Sequence, residues 1–299
     1  MGRLIKAEFR KILTTKLWWA LAIPAVLLAI GWAWGVSAFV TDIANDISDS
    51  DLLETAEIQA DDMSWGVLAL TRAMNIATIF PMVFGALALA SEISRKTITT
   101  SFLTAPNRAS VLGAKAITYV LWGGIYGLVV AGAASLGTLL GSDSAYLPEA
   151  GDWLLVLMSG ILACILWTLL GMGVGALLGS PVGALVILLV YASFVGPVGE
   201  LILFGVTEGS HLTGWMPNGA ANGLTGATAS EVLFGQVQDI VGSSAVANAA
   251  DIEDFDMAVR FAAGAPGAYS LWISALIFAG WTAVFFGLGI YRNQKRDVT

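Results

Sequence analysis

The chain has 299 residues, of which 57% are hydrophobic and only 12% charged, with a mean hydropathy of +0.79. A soluble domain carries about a quarter charged residues, so a soluble globular fold is excluded. The formal net charge of −8 is not the sign of a nucleic-acid partner, and none is expected; a single cysteine, Cys164, excludes an intrachain disulfide.

Crossing a bilayer as a helix takes about 20 apolar residues. Six stretches qualify, at about 17–40, 73–91, 116–141, 153–179, 181–206 and 268–291, and Glu200 is the one charged side chain within them. The predicted fold class is all-α: a polytopic membrane protein with six transmembrane helices and an N-terminal interfacial helix, forming one domain over 1–299. Twelve of the fourteen cations fall in segments 1–16, 92–115 and 292–299, which hold only Glu8, Glu92 and Asp297 as acids. By the positive-inside rule these segments and both termini are cytoplasmic. The outer loops are then 41–72, 142–152 and 207–267, and they carry most of the acids.

Residues 2–16 alternate basic and apolar at helical spacing. Leu4, Ile5, Phe9, Ile12 and Leu13 form one stripe, with Lys6, Arg10 and Lys11 off it. The pattern suits a helix lying in the membrane interface, followed by Trp18 and Trp19 at an aromatic belt. The other reading is a charged leader that only orients the first span. That span, with Val36-Ser37-Ala38 near its end, is longer than the apolar core of a signal peptide, so it is read as uncleaved.

The acidic segment 41–62 contains Asp49-Ser50-Asp51 but lacks the Gly and Glu of a calcium loop, and is read as a solvated loop or surface helix. Residues 63–72 are apolar and extend the second span outward, leaving Arg72 near its outer end. The inner segment 92–115 is too long for a simple turn. Residues 93–103 read as a short helix, with Glu92 placed to pair with Arg95 and Lys96 at i,i+3 and i,i+4 and with Ile98 and Phe102 on one face. Ala105-Pro106-Asn107-Arg108 then turns the chain, and Lys115 returns it to the membrane.

Gly179-Ser180-Pro181 makes the fourth and fifth spans antiparallel neighbours. Gly171, Gly175, Gly179 and Gly183, like Gly123 and Gly127, recur every four residues. Such spacing lets helix backbones approach closely, either at a dimer seam or within one subunit. Gly196-Pro197-Val198-Gly199-Glu200 is expected to break the fifth span, where Glu200 is either a wet interfacial acid or a functional intramembrane carboxylate on a substrate pathway. Segment 207–267 should fold into short helices on or in the outer leaflet, with Asn218, Gly219, Asn222, Gly223 and Gly226 marking turns between them. His211 is the sole histidine and reads as a solvent-facing loop residue. No nucleophile motif, zinc motif or phosphate-binding glycine loop occurs, so the chain is not an enzyme by itself.

The leader Ala7-Glu8-Phe9-Arg10-Lys11, together with Glu92, Thr97, Pro106, Arg108 and Lys115, resembles the permease subunits of type-2 ABC exporters. In particular they resemble the bacterial single-domain permeases grouped with multidrug, antibiotic-resistance and lantibiotic-immunity exporters. The likeness covers nearly the whole chain, including the large outer segment before the last span and Trp215-Met216-Pro217. One departure is Lys96, where that family often has Gly before the Thr. The resemblance implies a multi-pass protein of the bacterial plasma membrane that exports a drug, lipid or membrane-active peptide. It implies two cytosolic ATPase subunits carrying ATP and Mg, no cofactor on this chain, and a second permease copy, as a homodimer in the bilayer. ATPase docking would involve Glu8, Arg10, Lys11, Glu92, Arg95, Lys96, Thr97, Ile98, Phe102, Pro106 and Arg108, with Ile98 and Phe102 as apolar anchors. The competing readings are a self-sufficient channel or secondary transporter, and a non-transporting scaffold subunit.

Overall fold

The computed structural model describes residues 1–48, 63–104, 107–241 and 249–295. These residues form helices and turns with no strand among them. The acidic Asp49-Ser50-Asp51 stretch and Pro106 lie outside the described residues. In hydrocarbon every backbone polar group must be satisfied within the chain, and a helix does this segment by segment.

Helix α1 (Gly2–Thr14) ends where Thr15 turns to an extended conformation, and α2 (Leu17–Ser48) forms the first span. The second span is two helices in line, α3 (Gly66–Ala77) and α4 (Ile79–Ser94), with Thr78 between them. A short α5 (Ile98–Thr104) precedes α6 (Arg108–Gly141), and α7 (Ala150–Leu178) follows. The fifth span comprises α8 (Pro181–Val190), a π-helical turn at Tyr191–Val195, and α9 (Gly196–Val206). Beyond a 3-10 turn at His211–Trp215 come α10 (Pro217–Val241), α11 (Ala249–Ala262) and α12 (Leu271–Lys295). Six helical segments among the described residues are long and apolar enough to cross a membrane, at Leu17–Asn45, Gly66–Ser94, Arg108–Gly141, Ala150–Leu178, Pro181–Val206 and Leu271–Gln294.

The second span begins at Gly66, within the expected apolar extension over 63–72, and the third runs further than hydropathy predicted, to Arg108. Asn107 caps the third span by accepting a hydrogen bond from the Ser110 backbone N–H at 2.7 Å. That polar cap lets the helix start well before its apolar run does.

The glycine spacing serves packing within the chain. A Cβ at Gly171 would collide with the Met82 carbonyl of α4, and one at Gly175 with that of Ala86. Gly123 and Gly127 of α6 lie against Ile165, Thr168 and Ile161 of α7 in the same way. Gly179 has another task, ending α7 with a left-handed φ of 67°.

Two local expectations fail. Gly196-Pro197 does not break the fifth span. The missing Pro N–H and the ring's clash with the preceding turn are absorbed by the π turn just before it, and the helix continues. The asparagines and glycines from Asn218 to Gly226 are not turns either, because all of them lie inside α10. Their small size is used for close approach: Gly219 meets the Thr213 carbonyl, Gly223 meets Ser274 and Gly226 meets Ala265. The helix therefore packs against the second, fourth and sixth spans, and its Ala220, Ala221, Leu224, Ala227 and Ala229 are buried. His211 is exposed, as expected, with its ring stacked on Tyr269.

Candidate functional site

The leader helix α1 lies on the basic end of the bundle. Ile12 is buried and Leu4, Ile5 and Phe9 are half-buried, but Leu13 is 50% exposed and Glu8 takes the inward position instead. Phe9 packs on Trp122 of α6 at 5.3 Å between ring centres, and Trp18 joins from the start of α2 at 5.8 Å. Trp18 thus faces the bundle, while Trp19 remains 43% exposed.

Glu8 points at Lys115, whose side chain is 1% exposed. The Lys115 Nζ donates to Glu8 Oε2 at 2.6 Å and to Glu92 Oε1 at 2.8 Å. The Lys11 Nζ closes the ring from the solvent side, at 2.9 Å from Glu8 Oε1 and 2.7 Å from Glu92 Oε1. Two carboxylates and two ammonium groups form a neutral cluster that joins α1, the end of α4 and the first turns of α6. Burial pushes the Glu8 carboxyl upward, but the charge and hydrogen bond of Lys115, with help from Lys11, outweigh it and hold the group below its ordinary value. Burial likewise pulls Lys11 down, and hydrogen bonds to Glu92 and Glu8 bring it above its ordinary value. The predicted pairing of Glu92 with Arg95 and Lys96 is replaced by this longer-range one.

The predicted helix over 93–103 is divided. Span two continues to Ser94, and a new helix begins at Ile98. The backbone N–H of Thr97 donates to Glu92 O at 3.0 Å and that of Lys96 to Ile93 O at 3.1 Å. This is a Schellman stop, whose left-handed residue is usually Gly. Here it is Lys96, with φ 58°.

After the stop, Ile98 is buried at 8% exposure in this chain's own inner core, beside Leu89 and Leu112. Phe102 is half-buried with the Arg108 guanidinium 5.4 Å above its ring. Arg108 also donates to the Gln294 carbonyl at 3.0 Å, tying α6 to the end of the last span. The apolar side chain that α5 offers outward is Leu103, 79% exposed. Arg10, Arg95, Lys96 and Thr97 are exposed. A cleft of about 440 Å³ runs beside the cluster, between Lys11, Phe84, Glu92 and Tyr119. The docking residues expected from the sequence did not include Leu103, nor Lys115, which stood only among the positions that carry the family resemblance. One available signal was Glu8 itself, an acid four residues from both Leu4 and Ile12 on the apolar stripe.

Glu200 lies at the opposite end of the bundle and is 3% exposed. It lines a cavity of about 260 Å³ with Arg72 and Asn75 of α3 and with Asn218 and Asn222 of α10. The cluster and this cavity are separate sites.

The model of the ABC-2 family transporter protein matches residues 3–298. The chain belongs to that family. No curated protein matches it. An ABC-2 permease is a transport membrane subunit and not itself catalytic, and the family generally works with an ABC ATPase. With six spans of crossing length, this ABC-2 subunit is a multi-pass membrane protein.

Proposed function

We propose that the chain is the permease of an ATP-driven exporter in a bacterial plasma membrane. Its basic end and both termini face the cytosol, and two copies of it form a homodimer served by two ATPase subunits. The observation that carries this reading is the buried Glu8–Lys115–Glu92–Lys11 cluster, which makes the leader helix, the end of span two and the start of span three one unit. An ATPase gripping α1 and α5 would move the spans attached to them rather than bend a loop. Closure of the ATPase dimer on ATP would then bias the bundle between two arrangements. Arg10, Arg95 and Lys96 supply charge on that face and Leu103 supplies the apolar anchor, in the role first expected of Ile98 and Phe102. The exported cargo is apolar or amphipathic, taken from the membrane.

The test is affinity purification of the tagged chain from its native membrane. The expected result is an ATP-hydrolysing chain at equal stoichiometry, whose activity in reconstituted vesicles drives export. Purification of a permease dimer with no ATPase, or flux that runs on an ion gradient without ATP, would overturn the reading in favour of a scaffold or a secondary transporter.

A further inference from the structure

The cavity at the end of the bundle opposite the cluster has a chemical character of its own. Arg72 and Glu200 both line it, yet no ion pair joins them, and Arg72 has no hydrogen bond or ion pair among the described residues. Ionisable groups within spans are costly, and they normally face a partner or a functional cavity. Three further polar atoms in the same place are buried without a partner at good hydrogen-bond geometry: Asn75 Nδ2, and Glu200 Oε1 and Asn218 Nδ2, whose side chains lie close enough to interact with each other. Glu200 is 3% exposed and Asn218 6%. Native chains leave few such atoms unsatisfied, so a cluster of them around an acidic and a basic side chain marks a built site. The Arg72 guanidinium lies against Gly264, in space that a side chain there would share. That glycine also adopts φ 78°, which favours glycine. The rim is apolar and open, with Trp32 44%, Phe261 50% and Leu201 53% exposed.

We propose that this cavity binds the head of a zwitterionic amphipath. The ammonium of the ligand meets Glu200, its phosphate or carboxylate meets Arg72, and Asn75, Asn218 and Asn222 supply hydrogen bonds between them. The tails leave past Trp32, Leu201 and Phe261. A volume of about 260 Å³ suits a head of that kind and lies below the usual range for the pocket of a drug-sized ligand. Use of the site for cargo rests on the transport reading above. Occupancy of the site does not, so binding is measured on the isolated permease without nucleotide or ATPase.

The experiment titrates the purified chain, in a non-ionic detergent, with four probes. These are short-chain phosphatidylethanolamine, short-chain phosphatidylglycerol, a dialkylamine with two chains of the same length and soluble phosphoethanolamine. Phosphatidylethanolamine should bind about tenfold or more tightly than the two single-charge amphipaths, since each loses one charged hydrogen-bonded contact. Glu200→Gln should abolish its advantage over phosphatidylglycerol, and Arg72→Gln its advantage over the amine. Equal affinity of the three amphipaths overturns the site, and so does an unchanged preference in both variants. Phosphoethanolamine binding as tightly as the lipid overturns the amphipath assignment. The wild-type probe series decides the matter even if a variant fails to fold.

Discussion

Lys115 is a charge that the protein can keep only because two carboxylates meet it. Its side chain is 1% exposed, while Lys11 in the same cluster is 46% exposed. Removing a buried partner strands the charges left behind, whereas an exposed ion pair contributes little. Lys115→Met should therefore cost about 3 kcal/mol of stability, and Lys11→Met less than about 1 kcal/mol, both read from thermal melts in detergent. The cluster also sets a pH window. Glu8 lies below its ordinary 4.5, so its contribution is fully present above that pH and is lost as the pH falls through the lowered folded value. Lys11 lies above its ordinary 10.5, so its contribution is present below that pH and is lost only as the pH rises through the raised folded value. The melting midpoint should be flat between these limits and fall on the acid side, and Glu8→Gln should flatten the acid limb. The cluster was only half legible in advance. Glu8 and Glu92 stood out as the acids at the basic end, but nothing in the spacing of Lys115 announces that helix ends more than twenty residues apart converge on it.

At the level of elements, helix ends and helix contacts decide what hydropathy leaves open. The stop after Ser94 depends on a left-handed Lys96, a conformation that costs a side-chain-bearing residue about 1–2 kcal/mol. Lys96→Gly and Lys96→Ala both lose the lysine side chain, so their difference isolates the backbone. The glycine variant should melt higher by about 1 kcal/mol of stability, and equal midpoints would count against the strained stop. The pairing of α4 with α7 rests on glycine in a similar way. Gly175→Ala places a methyl against the Ala86 carbonyl and should cost about 1–3 kcal/mol. Gly132→Ala, in open space on α6, should leave the melting midpoint unchanged or higher. Periodicity alone showed that glycines recur every four residues. It did not say which helix they face, because a small-residue stripe looks the same at a subunit interface and inside a subunit. The asparagines and glycines of α10 misled for a related reason: residues that make turns in water make close helix contacts when spans surround them.

For the whole molecule, the testable quantity is which end faces the cytosol. Leu103→Cys offers a thiol at the most exposed apolar position of α5, and the native Cys164 is buried and silent. A membrane-impermeant maleimide should label this variant in inverted vesicles and not in intact cells; labelling from outside would reverse the orientation and remove the docking face. Class, span number and the separation of basic from acidic segments could be read from the sequence. They depend on quantities summed along the chain: apolar length against bilayer thickness, and the position of each cation relative to the spans. Only the tertiary structure decided that Glu8 and Glu92 turn inward to Lys115, that Leu103 rather than Ile98 faces out, and that Arg72 and Glu200 share one cavity. Each of these depends on distances between residues far apart in sequence, which are set by how helices pack, and no local sum contains them.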